Sequence, residues 1–196
     1  MNKTLIFQII VFTFFMSCKA QQIIDMSANN NMDGKYQNGT YYHKDVNNYL
    51  DAFTGTWKYE YDTNKEFRLT LTKVEMYHMM VEDFNYDYYI DGFSTSYQLY
   101  ENGQLTYQSP TEEYARGTAK DANNVSMTFF DYGRLGVPFN LYLTLVTELG
   151  SQGGQQQDPK LKFELSKWEA QNPYHTQHPD EPYFSVPNDM LMTKME

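Results

Sequence analysis

The residues with the clearest potential for chemistry form a short polar segment near the C-terminus. His175 and His178 are followed closely by Asp180 and Glu181, and imidazole with carboxylate is a ligand set that suits zinc or copper. Prolines surround these residues in the range 173–187, which predicts an extended loop outside any interior strand. Metal ligands also need partners that fix their orientation. We therefore predict a solvated polar loop and no metal site, with a metal centre as the alternative.

Catalytic chemistry has few candidate residues in this chain. Glu112 and Glu113 are adjacent carboxylates, but acid and base roles need environments that separate their pKa values, so we predict a charged turn. His78 lies in an apolar run and is predicted to be a core residue rather than a base. The sequence contains no Gly-x-Ser-x-Gly elbow, no His-Glu-x-x-His motif and no glycine-rich phosphate loop. We predict no catalytic residue, no cofactor and no enzyme activity.

Composition limits the class of protein and of partner. The 196 residues carry a formal net charge of −10, which makes nucleic acid a poor partner. One cysteine, Cys18, excludes a disulfide within the chain and a thiolate metal site. Apolar residues make up 41% of the chain, enough for the core of one domain. Because 18 tyrosines and 13 phenylalanines supply much of that apolar surface, the composition favours strands over helices.

The first seventeen residues predict a secretory signal. A basic start at Lys3 is followed by an apolar run that is too short to span a membrane. The run ends in Phe15-Met16-Ser17-Cys18, which resembles the lipobox of bacterial lipoproteins. The resemblance implies cleavage before Cys18 and lipidation of its thiol and new amino group by acyl chains such as palmitate, which together anchor a protein stably. An ordinary signal peptide with an incidental cysteine is the alternative.

The sequence predicts that the chain is divided into three regions. Residues 1–17 are predicted to be the lipoprotein signal peptide, and residues 18–40, which contain few large apolar side chains, a flexible tether after the lipidated cysteine. Residues 41–196 are predicted to form a β-barrel domain. At its start, the helical spacing of Val46, Tyr49, Leu50 and Phe53 predicts one short helix. Asp45 is available as its N-cap.

The chain after this helix is predicted to form eight to ten strands. Trp57, Tyr59 and Tyr61 alternate with polar residues in the first strand. Asp91-Gly92 and Asn102-Gly103 predict two-residue hairpin turns, since both dipeptides tolerate positive φ. The strands predicted after the opening hairpin of residues 56–72 cover residues 75–84, 86–90, 93–101, 104–108, 124–130, 140–148, 160–168 and 189–195. Residues 150–158 are predicted to be a mobile loop.

Antiparallel strands joined in sequence order hide their edges by closing into an up-and-down barrel. Gly55-Thr56-Trp57 resembles the Gly-x-Trp start of lipocalin-type barrels, in which the glycine bends the chain and the tryptophan plugs the closed end. The last strand lacks the arginine that stacks on this tryptophan in that family, and Lys194 is the nearest substitute. We therefore predict an all-β fold, an antiparallel up-and-down, lipocalin-like barrel with one short N-terminal helix.

A second resemblance covers residues 50–195. Phe53-Thr54-Gly55-Thr56-Trp57-Lys58, Lys73-Val74-Glu75-Met76-Tyr77, Tyr100-Glu101-Asn102-Gly103 and the ending Phe184-Ser185-Val186-Pro187-Asn188-Asp189-Met190-Leu191-Met192-Thr193-Lys194 are similar to a domain-of-unknown-function family of small Bacteroidota-type bacterial lipoproteins. The resemblance implies a cell-envelope compartment in a Gram-negative bacterium, with the outer membrane as the expected membrane and its face left open. It implies no activity.

Three functional hypotheses remain. The first is a membrane-anchored barrel that binds a small hydrophobic or aromatic molecule, with Trp57, Tyr59 and Tyr61 as candidate ligand-binding residues, because tyrosine and methionine walls suit such ligands. The second is an envelope module with a filled barrel that binds another protein or serves a structural role. The third is a hydrolase-type enzyme. The lipid anchor makes the membrane a partner in all three, and the sequence predicts no oligomeric state.

Overall fold

The computed structural model of the chain describes residues 21–28, 35–147, 158–167 and 173–196. These residues are mostly β-structure, in a sheet of eleven strands. The strands are β1 (Gln22–Asp25), β2 (Tyr41–Lys44), β3 (Gly55–Tyr61), β4 (Lys65–Val81), β5 (Tyr86–Glu101), β6 (Gln104–Gln108), β7 (Thr118–Asp121), β8 (Asn124–Asp131), β9 (Val137–Val146), β10 (Lys160–Ser166) and β11 (Met190–Lys194). The described helices are α1 (Pro173–Gln177) and the 3₁₀ helices Tyr49–Phe53, Glu82–Phe84 and Tyr132–Arg134.

The predicted alternation of the opening hairpin is confirmed. β3 pairs antiparallel with β4, so that Trp57 lies opposite Leu69 and Tyr59 opposite Phe67. Trp57, Phe67 and Leu69 are fully buried. Their sequence neighbours Lys58 and Arg68 remain partly exposed on the other face. One face of this hairpin therefore contributes to the core while the other contacts solvent.

The prediction of an all-antiparallel, closed barrel is wrong in two respects. The strand order is β1-β2-β5-β4-β3-β11-β10-β9-β8-β7, with β6 on β5, and β1, β2 and β5 are mutually parallel. In the described chain, β5 is linked to the segment before β7 by an isolated antiparallel β-bridge between Phe93 and Arg116. That segment contains Pro110, which cannot donate to a ladder, and it buries Glu112 where a regular strand would continue. The ladder is therefore interrupted and the sheet does not close.

The open sheet still surrounds one core. Phe67 of β4 contacts Phe163 of β10, with ring centroids 5.6 Å apart. Phe129 of β8 contacts both Phe163 at 5.6 Å and Tyr97 of β5 at 5.2 Å. These aromatic side chains come from strands far apart in the sheet order, so the curved sheet brings its two halves together around a packed interior.

β4 and β5 form one long hairpin that differs from the predicted strands. The sequence predicts a turn at Asp91-Gly92, but both residues lie inside β5, which runs without a break from Tyr86 to Glu101. Asp91 is buried as a hydrogen-bond acceptor, and Gly92 leaves room for another chain segment: an added Cβ would lie 2.8 Å from the backbone N and O of Arg116. The predicted Asn102-Gly103 turn is confirmed, with φ of 52° and 74°.

The segment predicted to be a flexible tether contains ordered structure. Gln22–Asp25 form β1, which pairs with β2. Met26 is buried, and its sulfur accepts a hydrogen bond from the Ala119 N–H at 3.4 Å. Backbone pairing with β2 and the buried Met26 therefore order part of a segment whose composition predicted no regular structure.

The predicted N-terminal helix is a single 3₁₀ turn. Leu50 and Phe53 are buried as its spacing predicts, whereas Val46 is exposed and precedes the helix. The Asp45 carboxylate accepts hydrogen bonds from the backbone N–H groups of Tyr49 and Leu50, both at 2.9 Å. Asp45 thus accepts from the first N–H groups of this turn, but the N-cap position itself is occupied by Asn48 and not by Asp45 as predicted. The one described α-helix, α1, instead lies in the proline-rich segment that was predicted to be extended.

Candidate functional site

The three predicted ligand-binding residues lie along β3. Trp57 is fully buried, and its indole N–H donates to the Phe53 carbonyl at 2.7 Å. The Lys194 ammonium lies 5.4 Å from the centre of the tryptophan ring, in the role predicted for it. Tyr59 and Tyr61 are half-buried, with parallel rings 6.2 Å apart. Ligand binding by these three residues stays a prediction.

A cluster of aromatic rings lies near the end of the β4–β5 hairpin. We name it the aromatic tip and define it as Tyr36, His43, Phe84, Tyr86 and Tyr88. Tyr36 lies at its centre, with ring centroids 5.0 Å from His43, 5.7 Å from Tyr86 and 5.0 Å from Tyr88. Phe84 extends the cluster outward by stacking on Tyr86 at 5.8 Å. Each ring is therefore held by at least one neighbouring ring.

The outer part of the aromatic tip is exposed to solvent. Phe84 is 68% exposed and Tyr86 40%; Met80, opposite Asp87 on the other face of the hairpin, is 60% exposed. The inner rings Tyr88 and His43 are buried. Single exposed apolar side chains are common, but neighbouring exposed rings that contact one another are typical of an interaction site.

Carboxylates lie next to the exposed rings in the sequence. Glu82 and Asp83 precede Phe84 directly and are both exposed. Asp87 pairs with His78, whose Nε2 lies 2.7 Å from the Asp87 Oδ1. We name Glu82 and Asp83 the acidic rim. His78 itself is exposed rather than part of the core, which corrects the prediction made from its apolar neighbours.

Hydrogen bonds between backbone groups hold Tyr36 in the aromatic tip. The Asp87 N–H donates to the Tyr36 carbonyl at 2.7 Å, and the Gly39 N–H donates to the Asp87 carbonyl at 2.8 Å. His43 follows in β2, and its Nε2 lies 2.9 Å from the Lys35 carbonyl. Because burial disfavours the charged imidazolium, the pKa of His43 is lowered. The same desolvation raises the pKa of Tyr88 to about 12.

A buried carboxylate fixes the base of the hairpin. The Asp91 side chain is 1% exposed and accepts from the Tyr42 hydroxyl at 2.5 Å and from the backbone N–H groups of Asp45 and Met76, both at 2.9 Å. Met76 has a positive φ of 53°, where the register between β4 and β5 shifts. Burial and the Asp91 carboxylate raise the pKa of Tyr42 well above its usual range. Asp91 therefore joins β2, β4 and β5 at the point where the hairpin leaves the rest of the sheet.

The adjacent glutamates have different environments. Glu113 is exposed, whereas Glu112 is 6% exposed, and burial raises the pKa of its carboxyl. Arg116 Nε lies 3.0 Å from Glu112 Oε2, although its N–H is not aimed at that oxygen, so the contact is an ion pair without a hydrogen bond. The Arg116 guanidinium also lies 4.3 Å from the Phe130 ring centre and 5.3 Å from that of Tyr114. The predicted charged turn is thus a partly buried ion pair.

The two histidines near the C-terminus lie in and beside α1. His178 Nδ1 lies 3.0 Å from the Tyr174 carbonyl, and its ring stacks on the Tyr174 ring at 4.2 Å. The His175 ring lies 4.8 Å from that of Tyr183. Among residues 21–28, 35–147, 158–167 and 173–196, no three His, Cys, Asp or Glu side chains are grouped so that they could hold a metal ion.

Several predictions concern residues outside the described ranges. The signal peptide of residues 1–17, the lipidated Cys18 and nearly all of the loop at 150–158 lie there. In the described part of the chain, no helix has the length and hydrophobicity that crossing a bilayer requires.

The sequence patterns did not reveal the aromatic tip or the role of Asp91. The signal for the tip was present as alternation of aromatic residues in Phe84-Asn85-Tyr86-Asp87-Tyr88, but the assumed turn at Asp91-Gly92 divided the strand that carries it. Tyr36 and His43 join these rings only through the parallel pairing of β2 with β5. No local pattern predicts such a pairing.

Comparison with known proteins gave one match, to a family. The comparisons with curated proteins and with solved structures gave no significant match. The sequence model of a family of unknown function, DUF6705, matches residues 1–195. The predicted membership in a domain-of-unknown-function family is confirmed, while the Bacteroidota origin and the lipoprotein character stay predictions. The chain belongs to the DUF6705 family of unknown function.

Proposed function

We propose that this protein is a non-enzymatic, lipid-anchored module of a Gram-negative cell envelope that binds another protein through its aromatic tip. The observation that carries the proposal is the contrast between a tightly packed core and an exposed, preformed ring cluster. Trp57, Phe67 and Phe163 have no exposed surface, whereas Phe84 is 68% exposed at the end of a long hairpin. Aromatic and methionine side chains are enriched where proteins bind one another.

The contacts within the aromatic tip prepare it for binding. Tyr86 stacks with Phe84 and packs against Tyr36 and Tyr88. Rings that are already held lose little conformational freedom when a partner covers them, so more of the gain from apolar burial appears as affinity. Residues of this kind near the centre of an interface typically contribute most of the binding free energy.

The acidic rim indicates the chemistry of the partner. Glu82 and Asp83 are exposed beside Phe84, and the whole chain has a net charge of −10. A complementary protein would present an apolar pocket bordered by lysine or arginine side chains. A second copy of this chain would bring like charges together. Anionic lipid headgroups would repel the rim for the same reason.

The small-ligand and enzyme hypotheses have less support. A ligand inside the sheet would compete for space with the fully buried Trp57, Phe67 and Phe163. The buried carboxylates of Asp91 and Asp131 are both occupied as hydrogen-bond acceptors, the latter by the Ser185 N–H at 2.7 Å and by the Ser185 hydroxyl. These hydrogen bonds give both carboxylates a structural role in joining segments of the chain.

The anchor proposed at Cys18 would place one edge of the sheet near the membrane. β1 begins at Gln22, four residues after Cys18. Four residues span at most about 14 Å. The β1 edge would therefore lie close to the bilayer surface. The distance from the membrane at which the protein binds a partner would depend on the length of the β4–β5 hairpin rather than on a long tether.

Replacing Cys18 with serine is expected to release the protein from the membrane fraction. The hydroxyl of serine cannot take the thioether-linked lipid, and without several acyl chains membrane binding is weak. The measurement is mass spectrometry of protein extracted from membranes, which should show a mature chain that begins at a lipid-modified Cys18. An intact Met1 or an unmodified thiol in the parent protein would remove the anchor from the proposal.

Replacing Phe84 with serine is expected to weaken partner binding by at least about 30-fold, the effect of losing a central aromatic anchor worth roughly 2 kcal/mol. The partner is isolated with the parent protein from gently solubilised membranes, and its affinity is then measured with purified components. Because the acidic rim contributes to attraction, the association rate should also fall as ionic strength rises.

Leu135→Ser is the matched control. Leu135 is 86% exposed on a different part of the surface, so the change removes a comparable apolar side chain outside the tip. This variant should bind like the parent protein, and both variants should keep the parent's melting temperature. Equal loss of binding in both variants, or none in Phe84→Ser, would show that the aromatic tip is not the interface.

A further inference from the structure

A second surface feature lies on the outer face of the sheet, apart from the exposed end of the aromatic tip. It is a cleft of about 410 Å³ between the β4–β5 hairpin and the outer faces of β7, β8 and β9. We name it the Arg116 cleft. Its polar lining consists of Arg116, Lys120, Thr118, Ser126, Thr128 and Asn140. The volume falls within the range of roughly 300 to 1,000 Å³ that is usual for small-molecule sites.

The charge of this cleft is opposite to that of the chain. Arg116 and Lys120 line it, and its lining includes no aspartate or glutamate, although acidic residues outnumber basic ones by 25 to 15 in the sequence. Among the described residues, Lys120 forms no ion pair, and its ammonium lies 5.7 Å from the Tyr142 ring centre. Its charge is therefore available to a ligand.

Arg116 is held so that part of its hydrogen-bonding capacity remains unused. The Phe130 and Tyr114 rings contact the guanidinium, and Glu112 pairs with its Nε. These three residues line a neighbouring cleft, so Arg116 lies on the border between the two clefts. Within the described parts of the chain, its two terminal nitrogens donate no hydrogen bond. A guanidinium with free terminal N–H groups is well suited to bidentate contact with a carboxylate or phosphate.

Uncharged polar groups complete the lining. Thr118, Ser126, Thr128 and Asn140 are half-buried, and none of their side chains makes a hydrogen bond with another described residue. Three hydroxyls and one amide can both donate and accept. Tyr142, 40% exposed, adds an aromatic surface at the rim, while Met79 and Ile90 form an apolar wall. Cations, unused hydroxyl and amide groups, and a ring in one cleft match a ligand that carries hydroxyls and one acidic group.

We propose that the Arg116 cleft binds an acidic saccharide, with Arg116 and Lys120 contacting its acidic group and Ser126, Thr128 and Asn140 contacting its hydroxyls. The cleft shares the buried Tyr88 with the aromatic tip, but the exposed rings Phe84 and Tyr86 do not line it. The ligand is a free sugar acid or one unit of an acidic polysaccharide, since both present the same chemistry to the cleft.

The test is isothermal titration of the full chain, purified from its membrane in detergent, at low ionic strength. The probes are glucuronic acid, an oligogalacturonide, glucose and acetate. Saturable binding of glucuronic acid, with weaker binding of glucose and acetate, is the expected result, because glucose lacks the acidic group and acetate the hydroxyls. Comparable affinity for glucuronic acid and the oligomer indicates a free sugar acid, whereas clear preference for the oligomer indicates a polysaccharide.

Lys120→Gln should weaken binding of glucuronic acid or the oligomer by about tenfold, the effect of losing one charge-assisted contact. Thr128→Val, which removes a hydroxyl at nearly constant volume, should weaken it less. Lys162→Gln is the control, since Lys162 is a partly exposed lysine on β10 outside the cleft, and it should bind like the parent. The proposal is overturned if neither acidic probe saturates, if acetate or glucose binds as tightly as glucuronic acid, or if Lys120→Gln and Lys162→Gln bind alike.

Discussion

Replacing Trp57 with alanine is expected to lower the free energy of unfolding by about 3 to 5 kcal/mol, the range for removing a large aromatic side chain from a core. Trp57 has no exposed surface, and its indole N–H donates to the Phe53 carbonyl at 2.7 Å. The change would leave a cavity and a buried carbonyl without its donor. In thermal unfolding, the expected fall in Tm is roughly 10 °C or more for a domain of this size.

Two further variants separate the causes of this loss. Trp57→Phe keeps most of the ring but removes the N–H, so its cost should be clearly smaller than that of Trp57→Ala. Phe84→Ala removes an aromatic side chain that is 68% exposed, and it should change stability by no more than about 0.5 kcal/mol. If Trp57→Ala melted within a degree or two of the parent protein, β3 would not have the central role in the core that its burial indicates.

Replacing Asp91 with alanine is the second change with a large expected effect, also about 3 to 5 kcal/mol, because each buried donor left without an acceptor costs roughly 1 to 3 kcal/mol. The carboxylate accepts hydrogen bonds from the Tyr42 hydroxyl and from the Asp45 and Met76 N–H groups. Its removal should loosen β2 and the outer half of the β4–β5 hairpin first. Chemical denaturation measures the total loss, and amide hydrogen exchange locates it.

The matched control for Asp91 is an exposed aspartate in the same hairpin. Asp83→Ala removes a carboxylate with no described hydrogen bond, so its stability should stay within about 0.5 kcal/mol of the parent. Asp91→Asn should fall between the two, because the amide keeps one acceptor but turns the other into a donor. Equal stability of Asp91→Ala and Asp83→Ala would mean that Asp91 does not hold the hairpin to the sheet.

Local patterns in the sequence were sufficient for much of the strand content. The alternation of apolar and polar residues around Trp57 and Leu69 matches β3 and β4, since one buried face enforces a period of two. Asn102-Gly103 could be placed in a turn because both residues adopt the positive φ that such turns require. These features depend on residues that are close in sequence.

Features that depend on distant parts of the chain were mispredicted. Asp91-Gly92 has the composition of a turn, but Asp91 is an acceptor for residues of β2 and β4, and Gly92 allows the Arg116 backbone to approach. The parallel pairing of β1 with β2 was likewise invisible in a segment of low apolar content. A closed barrel was the simplest way to hide strand edges, yet Pro110 and the buried Glu112 interrupt the pairing that closure would need.

The candidate binding surfaces show the same division. The aromatic surplus suggested binding, and Phe84 and Tyr86 are among the exposed aromatic side chains, with Tyr114 and Tyr142. Ligand binding by Tyr59 and Tyr61 stays a prediction. Residues of one strand can be assigned to a shared face from sequence alone. Their contact with Tyr36, about 50 residues earlier in the chain, could not be predicted from the sequence because it depends on the pairing of distant strands.

The most direct test of the central claim is site-specific photo-crosslinking in living cells. A photoreactive phenylalanine analogue is introduced at position 84 in one variant and at position 135 in another, so that the same probe occupies the aromatic tip or a distant exposed site. We expect one dominant protein crosslink from position 84, weakened when Glu82 and Asp83 are replaced by lysine, and none of that mass from position 135. The same crosslink from both positions, or no protein crosslink from position 84, would contradict the assignment of the aromatic tip as a binding surface.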